Sequence, residues 1–382
     1  MAALATSLDV SAIPGRPAGA GRYVIELVRA LGSIEDVALT LVSRKGDADR
    51  WRRLAPSSRL VDRVWASRPL RVGYEQWLLG PAVTHLSDPA IAVHHGPHYT
   101  FPHGLSGVGT VVTVHDLTFF DHPEWHVRAK VPFFRRAIRR AARDADVIVC
   151  VSETTAGRLR ALLSPRAQVV VAPHGVDLAR FRPEPQAEMP DGDLLERSGC
   201  PRDLEYILHL GTIEPRKGIA PLVAAFDRIA AAHEGLDLVL AGIDGWGSEE
   251  VERAVASSVH RGRVRRLGYV DDQVVPALLR CARVVAYPSY EEGFGLPALE
   301  ALACGSPLVT TSSTAMAEVA GTAAWTVPPG DAPALAGALE AALGAGAGEL
   351  GRRRAEGIER AAGFTWERTA AAHLEAYRAA AG

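Results

Sequence analysis

Residues 283–300 have the sequence RVVAYPSYEEGFGLPALE: an apolar run, a glycine-rich loop and a helix-like segment. Arg283–Tyr287 predicts a buried strand, because apolar residues follow one another without alternation. Gly293 and Gly295 let the backbone approach a ligand closely. Pro297 fits the first turn of a helix, where its missing N–H costs nothing. This order is typical of a strand–loop–helix unit in a parallel sheet.

Similar apolar runs recur along the chain and alternate with helix-like segments. Those in the first half are Val108–Val114, Asp146–Val151 and Gln168–Ala172, and those in the second half are Tyr206–Leu210, Leu236–Ala241 and Pro307–Thr311. Near-continuous apolar strands between helices indicate parallel sheets that are covered on both faces. The predicted fold is α/β, with two doubly wound, Rossmann-like domains facing across a cleft where ligands bind.

A boundary between these domains is predicted near residue 190. Residues 181–203 contain four prolines among acidic residues and show little apolar periodicity. We therefore predict a linker at 179–203, which separates one domain at 1–178 from another at 204–363.

The amino-acid composition and net charge exclude some classes of protein function. The chain has 382 residues, of which 48% are hydrophobic and 23% charged, as in ordinary globular proteins. A net charge of −2 excludes a globally basic nucleic-acid binder, so no nucleic-acid partner is expected. Residues 1–180 nevertheless carry a net charge of +7 and residues 181–382 one of −9. This asymmetry suggests an anionic ligand for the first half, or two solvated surfaces.

The cysteines and the length of the apolar runs indicate the cellular compartment in which the protein works. The four cysteines form no CxxC pair, which favours a reducing cytosol over a zinc site or a disulfide framework. No apolar run reaches the roughly 18 residues of a membrane span. Met1–Thr6 lacks a basic region, so no secretory signal is expected and a cytoplasmic location is predicted.

The glycine-rich loop after Tyr287 carries the strongest chemical motif. The N–H groups of Gly295 and Leu296 would point out of a helix N-terminus, which favours a phosphate. Glu292 precedes this site and Glu300 lies about one turn into the helix. One carboxylate can face a sugar while the other reaches a ribose. The alternative is an ordinary acidic loop before a helix.

The segment GTIEPRKG, residues 211–218, also follows a predicted strand. Arg216 and Lys217 can bind a diphosphate, the guanidinium as a fork and the ammonium as a point charge. They would neutralise the charge on a leaving group without a metal. The alternative is a solvated basic turn.

The segment GAGRY, residues 19–23, precedes a predicted helix at 24–31. As a dinucleotide fingerprint it fails, because Val24 stands where the last glycine belongs. Gly19 and Gly21 are predicted to lie in a glycine loop whose amides face a ligand, or in a plain tight turn.

His115 and Asp116 end the predicted strand at 108–114, which places them at the ligand-binding edge of a sheet. His115 is expected to donate hydrogen bonds to a sugar or an acceptor, unless the pair only caps the following loop. Further histidines have no metal-site spacing, so no metal is expected. Residues 128–143 form a basic amphipathic helix, suited either to an anionic membrane or to packing on a sheet.

Taken together, these motifs resemble the retaining glycosyltransferases of family 4, which have the GT-B fold, over nearly the whole chain. The motifs that carry the resemblance are EGFGLPALE (292–300), GTIEPRKG (211–218), GAGRY (19–23), VHDLTFF (114–120), PHGVD (173–177) and GYVDD (268–272). The resemblance implies that the first domain binds the acceptor and the second a nucleotide sugar. It also implies that a terminal helix at about 364–382 packs back on the first domain.

The resemblance assigns the donor contacts. Glu292 would contact the donor sugar near the reacting carbon, Glu300 the ribose, and Arg216 with Lys217 the pyrophosphate. Backbone groups of 294–296 (Phe294, Gly295 and Leu296) would meet sugar and phosphate.

Other positions complete the implied site. Residues 19–21 would line the cleft, His115 would touch the transferred sugar, and Tyr269 with Val270 would flank the nucleobase. Glu318 would support the same pocket. Many relatives carry an arginine where Thr212 stands here, and Arg216 is the candidate substitute for that charge.

The implied reaction is retaining, metal-independent transfer of a hexose, with mannose favoured, to a glycan or lipid-linked acceptor. GDP-mannose is the favoured donor, and no tightly bound cofactor is expected. A UDP-sugar-dependent glucosyl, N-acetylglucosaminyl or rhamnosyl transferase is the alternative, followed by an epimerase or a phosphorylase, although no pyridoxal motif is present. A non-catalytic binding module is disfavoured, because Glu292, Glu300, Arg216 and Lys217 are all present. The enzyme would work in the cytoplasm, with the helix at 128–143 as a candidate contact with the inner face of the plasma membrane.

Overall fold

The computed structural model describes residues 3–15, 19–85, 90–185 and 189–382, which form two units. Unit 1 comprises Met1–Pro123, Arg128–Gly175 and Trp366–Gly382, and unit 2 comprises Glu124–Val127 and Val176–Thr365. Each unit is built around one parallel sheet with helices between its strands. The predicted α/β class with two Rossmann-like sheets is confirmed.

In unit 1 the described residues form a seven-stranded sheet in the order β3-β2-β1-β4-β5-β6-β7. The strands are β1 (Leu4–Asp9), β2 (Val37–Arg44), β3 (Arg59–Val64), β4 (Val93–Gly96), β5 (Gly109–Val114), β6 (Val147–Cys150) and β7 (Gln168–Val171). The helices between them are α1 (Gly19–Leu31), α2 (Ala48–Leu54), α3 (Arg68–Trp77), α4 (Leu79–Thr84), α5 (Thr118–Asp121), α6 (Lys130–Asp144) and α7 (Glu153–Leu163). Every pair of neighbouring strands is parallel.

In unit 2 the sheet has the order β10-β9-β8-β11-β12-β13, again with every described pair parallel. Its strands are β8 (Glu205–Leu210), β9 (Leu236–Ala241), β10 (Val264–Gly268), β11 (Val284–Tyr287), β12 (Leu308–Thr311) and β13 (Trp325–Val327). Its helices are α8 (Asp191–Arg197), α9 (Ile219–Ile229), α10 (Ser248–Ser257), α11 (Val275–Cys281), α12 (Leu296–Ala303), α13 (Ala315–Ala320), α14 (Ala332–Leu343) and α15 (Ala347–Ala362). The chain then returns to unit 1 as α16 (Trp366–Ala381).

Most central strands of the two sheets are rich in apolar residues, because helices cover both faces. Every residue of β9, β11 and β12 is buried. The edge strands β3 and β10 differ, since each leaves charged side chains exposed. Because parallel strands share their direction, the loops that follow β8 and β11 leave the same edge of the unit 2 sheet.

Two segments differ from their sequence interpretation. Residues 179–203 group with unit 2 and contain α8, where Leu195 is buried and Arg280 Nε lies 2.8 Å from Asp191 Oδ2. The prolines in this segment favour a linker in the sequence analysis, whereas the structure has this short packed helix there. In unit 1 the predicted loop GAGRY is the first turn of α1, so the helix begins at Gly19 and not at residue 24. Glycine costs a helix only about 1 kcal/mol, and the buried apolar face of α1 outweighs this.

Candidate active site

Three buried side chains share hydrogen bonds where β8 and β11 end. Lys217 closes a single helical turn after β8, Tyr287 is the last residue of β11, and Glu292 lies in the following loop. The Lys217 ammonium contacts Glu292 Oε1 and donates to the Tyr287 hydroxyl at 2.9 Å. That hydroxyl donates to Glu292 Oε1 at 3.2 Å. The three side chains are therefore fixed relative to one another.

Arg216 engages the other oxygen of the same carboxylate. Its Nη1 lies 3.2 Å from Glu292 Oε2 and 2.8 Å from the carbonyl oxygen of Glu291. Its Nη2 donates to Glu214 Oε1 at 2.8 Å. Glu292 thus lies between two cations, one on each carboxylate oxygen.

This arrangement sets the protonation state of Glu292. Burial alone would raise the pKa of its carboxyl, but Arg216 and Lys217 outweigh burial and lower the pKa to about 2. Burial lowers the pKa of Lys217, and the Glu292 charge opposes that shift. Burial, reinforced by the Glu292 charge, raises the pKa of Tyr287 well above 10.0. Glu292 is therefore ionised at neutral pH, so it supplies negative charge and acceptor oxygens and cannot act as a general acid.

Glycine at 218 allows the two loops to approach. Gly218 has φ +67°, and a Cβ there would lie 2.1 Å from the carbonyl oxygen of Pro288. The amide of Tyr290 donates to the carbonyl of Arg216 at 2.9 Å. The loop after β11 is thereby held against the turn that presents Arg216 and Lys217.

The helix α12 begins beside these loops, with Gly295 as its N-cap and Pro297 in its first turn. Gly295 has φ +100°, and a Cβ would lie 2.8 Å from Met316 Cγ, so only glycine fits without a shift. The N–H of Leu296, the first residue of the helix, has no acceptor within the helix and suits an anion, whereas Pro297 has no N–H and Ala298 donates to the carbonyl of Gly295. Glu300 lies on the same helix and is buried.

In unit 1, His115 belongs to a buried histidine cluster arranged around Tyr23. The cluster comprises the buried His95, His115, His174 and His373, together with the half-buried His98, whose ring centroid lies 5.4 Å from that of His115. The Tyr23 ring centroid lies 5.2 Å from that of His115, and the Tyr23 hydroxyl hydrogen-bonds His373 Nε2 at 2.8 Å. Burial lowers the pKa of every member, so all five rings are neutral at pH 7.

The tautomer of His115 corrects the sequence expectation. Its Nε2 lies 2.9 Å from the carbonyl oxygen of Pro97. A carbonyl oxygen only accepts, so Nε2 carries the ring proton and Nδ1 is an acceptor. A sugar hydroxyl at His115 would therefore donate to the ring, whereas the sequence analysis expects His115 to donate.

Two protein families match this chain, one in each of its two units. Residues 17–180 match the family described as Glycosyltransferase Family 4, and residues 205–344 match Glycosyl transferases group 1. The chain is 30% identical to the O-antigen chain mannosyltransferase B of Escherichia coli over 379 residues, covering 94% of this chain and 96% of that protein. The chain belongs to glycosyltransferase family 4. It is a glycosyltransferase.

Solved structures show that this family 4 glycosyltransferase has the GT-B fold. Sucrose-phosphate synthase from Thermosynechococcus elongatus superposes with a TM-score of 0.75 at 22% identity, covering 98% of both chains. Anabaena HepE in complex with UDP-glucose also gives a TM-score of 0.75, at 16% identity, covering 98% of this chain and 99% of that one.

The structure brings together part of the predicted site. Arg216, Lys217 and Glu292 are in direct contact, and Phe294, Gly295 and Leu296 lead into α12 just beyond them. Tyr269 and Val270 follow β10, and the Tyr269 side chain is 52% exposed. Glu318 lies on α13, where its backbone carbonyl accepts a hydrogen bond from Arg360. Gly19, Gly21 and His115 belong to unit 1.

Sequence reasoning missed Tyr287 and Glu214. The sequence predicts Tyr287 only as part of a strand, although the last residue of a parallel strand is typically at a ligand-binding position. Glu214 stands two residues before Arg216 in the quoted motif, and its carboxylate orients that guanidinium. Thr212 fits here because residue 245 is glycine. A Cβ at position 245 would lie 2.5 Å from Thr212 Cγ2.

The arginines of α6 are largely engaged within unit 1. Arg135 donates to the carbonyl of Phe119 at 2.7 Å, Arg140 donates to that of Phe101 at 2.9 Å, and Arg143 pairs with Asp144. These contacts favour the surface-helix interpretation of residues 128–143 over a membrane contact.

Among the described residues, no group of three or more His, Cys, Asp or Glu side chains could hold a metal ion. In the same part of the chain, no helix is both long and apolar enough to cross a bilayer.

Proposed function

We propose that this glycosyltransferase transfers a hexose, with mannose favoured, from a nucleoside diphosphate sugar to a glycan or lipid-linked acceptor, with retention and without a metal. The observation that carries this proposal is the buried contact of Glu292 with Lys217 and Arg216 beside the N-terminus of α12. Two cations and the N–H at the start of α12 match a diphosphate, and one fixed carboxylate matches the sugar attached to it.

In the proposed reaction the leaving group is a nucleoside diphosphate. As the bond to the anomeric carbon breaks, negative charge grows on the phosphate oxygen, and Arg216, Lys217 and the N–H of Leu296 stabilise it. This replaces the charge that a metal would supply. Lys217 is held by Tyr287 and Glu292 before the donor binds, so little reorganisation is needed.

Positive charge grows at the same time on the sugar ring. The ionised Glu292 carboxylate stabilises an oxocarbenium-like state from close range in a buried setting, where charges interact strongly. The acceptor hydroxyl attacks the face that the leaving group vacates, and its proton passes to the departing phosphate oxygen. His115 accepts a hydrogen bond from a sugar hydroxyl, and Glu300 binds the ribose.

GDP-mannose is the proposed donor, because the relative matched over nearly its whole length is a mannosyltransferase. A UDP-sugar is the second candidate, because HepE, which shares the fold, was solved with UDP-glucose. The four cysteines are free, consistent with work in the reducing cytoplasm.

Calorimetric titration with GDP, UDP, ADP and TDP, each with and without magnesium, tests the donor class. Binding of GDP that does not depend on magnesium is expected. Preference for UDP would replace mannose by the alternative sugars, and an absolute need for magnesium would contradict the metal-free mechanism. Proton NMR of the product of the preferred donor then reports the anomeric configuration, and inversion would refute retention. Turnover of the donor to a stereoisomer without acceptor would indicate an epimerase.

A further inference from the structure

Five fully buried side chains of unit 1 are joined in one hydrogen-bond chain. The hydroxyl of Tyr23, on α1, lies 2.8 Å from His373 Nε2, on α16, and 2.9 Å from Thr113 Oγ1, on β5. Thr113 Oγ1 lies 2.8 Å from Nε2 of His95, on β4, and His95 Nδ1 lies 2.8 Å from the hydroxyl of Tyr377. Tyr377 is on α16 as well, so the hydrogen-bond chain leaves this helix and returns to it.

The position of every proton in this hydrogen-bond chain follows from one carbonyl group. His373 Nδ1 lies 2.7 Å from the carbonyl oxygen of Thr369, which only accepts, so in the neutral ring Nε2 is the acceptor. Tyr23 therefore donates its single hydroxyl proton to His373 and accepts from Thr113. Thr113 in turn accepts from His95 Nε2, because its own proton is used. One arrangement of protons satisfies all of these bonds, so the hydroxyl of Tyr23 is fixed in position.

The ring of Tyr23 packs against His115, the residue of unit 1 that is proposed to bind the transferred sugar. The two ring centroids lie 5.2 Å apart, with the ring planes at 80° to each other. Tyr23 also contacts the ring of His174 at 4.7 Å, and His174 stacks on Trp366 of α16 at 5.9 Å. Helix α16 therefore holds Tyr23 twice, through its hydroxyl and through His174.

The hydrogen bond of His115 fixes its tautomer better than its ring plane. His115 Nε2 donates to the carbonyl oxygen of Pro97 at 2.9 Å, and the imidazole can still tilt about the axis of this bond. Packing against the rings of Tyr23 and Tyr99, at 5.2 and 5.5 Å between centroids, restrains that tilt. Without its hydroxyl bonds the Tyr23 ring would be held by packing alone. These bonds therefore bear on the orientation of His115.

We propose that Tyr23 is a positioning residue for His115, and that His373 keeps Tyr23 in the required place. Tyr23 touches no substrate in the proposed reaction and acts only through the imidazole. With the ring plane of His115 fixed, Nδ1 stays directed at the sugar hydroxyl that donates to it. Misplacing such a group by about 1 Å can cost roughly 100-fold in rate. This inference rests on the proposed function, in which His115 binds a sugar hydroxyl.

Steady-state kinetics of matched variants tests the inference. Tyr23→Phe removes the central hydroxyl, and His373→Leu removes its acceptor while Tyr23 stays intact. Each should lower kcat about tenfold or more, the value of one lost hydrogen bond between buried groups, and should change the KM of the donor less. His373→Gln should keep kcat within about threefold, because its amide oxygen can still accept from Tyr23.

Tyr377→Phe is the matched control for a merely structural role. It removes a hydroxyl of the same hydrogen-bond chain, equally buried and bonded at the same 2.8 Å, but the ring contacts of Tyr377 are with His95 and His373. It should lower the free energy of unfolding in urea and keep kcat within about threefold. If Tyr23→Phe and His373→Leu lower kcat no more than Tyr377→Phe does, the inference is overturned.

Nitrogen-15 NMR of the imidazole side chains gives a second readout, which does not require turnover. His115→Gln assigns the signal of His115, which should show the Nε2–H tautomer in the wild type. Tyr23→Phe should shift or broaden this signal, whereas Tyr377→Phe should not, and an unchanged signal in Tyr23→Phe would also overturn the inference. Calorimetric binding of the nucleoside diphosphate should be unchanged in these variants. A wild type that transfers no sugar would refute the proposed function, and the NMR comparison would still decide whether Tyr23 positions His115.

Discussion

Replacing Glu292 by glutamine tests the candidate site most directly, since it removes the charge between Lys217 and Arg216 at nearly constant volume. The pKa of Glu292 is lowered from 4.5 to about 2, and such a shift corresponds to about 3 kcal/mol of folding stability at pH 7. The free energy of unfolding of Glu292→Gln at pH 7 should therefore be about 3 kcal/mol lower than that of the wild type. Transfer should fall by about 10²–10³, as when one preorganised electrostatic contact is removed from a transition state.

The pH dependence of this loss has a definite sign. The folded pKa lies below the unfolded one, so the stability that the charge contributes is complete above about pH 4.5 and lost as pH falls towards 2. The stability difference between wild type and variant should shrink to less than half near pH 3. Urea unfolding at both pH values measures it, and a difference that does not change with pH would refute the assigned charge state.

Affinity and a matched variant complete the experiment. Diphosphate affinity in Glu292→Gln should be retained or increased, since Lys217 and Arg216 are released from the carboxylate. Glu214→Gln is the control, because it removes a carboxylate that pairs with Arg216 and leaves the contact between Lys217 and Glu292 in place. It should lower transfer less than tenfold. Transfer by Glu292→Gln within tenfold of the wild type would show that this carboxylate does not stabilise the transition state.

Three further outcomes are expected. Tyr287→Phe removes the hydroxyl shared by Lys217 and Glu292 and should lower kcat about tenfold, the value of one hydrogen bond between buried groups; steady-state kinetics with an unchanged kcat would contradict this. Gly295→Ala should lower the free energy of unfolding in urea by about 2 kcal/mol or more and weaken diphosphate binding, because residue 295 has a positive φ and its Cβ would contact Met316. Gly337→Ala, in open space on α14, is the control and should leave this free energy unchanged or raise it. Equal effects of the two substitutions would contradict the packing argument. The neutral histidine cluster should make unit 1 acid-sensitive, because folded pKa values below the unfolded 6.5 leave stability intact above pH 6.5 and reduce it as pH falls further. His98 and His373, whose pKa values are lowered to about 3 and about 4, should each cost up to about 2 kcal/mol by pH 5. Urea unfolding that does not weaken between pH 7 and 5 would contradict the burial of these rings as neutral groups.

The fold could be predicted from the sequence where strands are buried on both faces. Leu236–Ala241 is apolar except for Asp237, Val284–Tyr287 has no charged residue, and both are buried strands. The strand β1 was missed because it includes Thr6 and Ser7, which are buried polar residues. Ser7 hydrogen-bonds His94 Nδ1 at 2.8 Å, a partner 87 residues away that no local pattern reveals.

The candidate site could be predicted where chain direction brings residues together. Arg216 and Glu292 both follow strands of one parallel sheet, so their contact follows from the topology. The role of Tyr287 depends on where its hydroxyl points, and the tautomer of His115 depends on the carbonyl of Pro97. These are three-dimensional facts, set by packing and not by the order of residues along the chain.

The return of α16 to unit 1 has a consequence for biosynthesis. His373 and Tyr377 on this helix hydrogen-bond Tyr23 and His95 in the buried interior of unit 1. A ribosome makes these two residues only after all of unit 2 has been synthesised. The nascent first unit must therefore wait, with polar groups of its interior still lacking their partners, while the second unit emerges and folds. Synthesis runs from unit 1 to unit 2, but the completion of folding runs the other way.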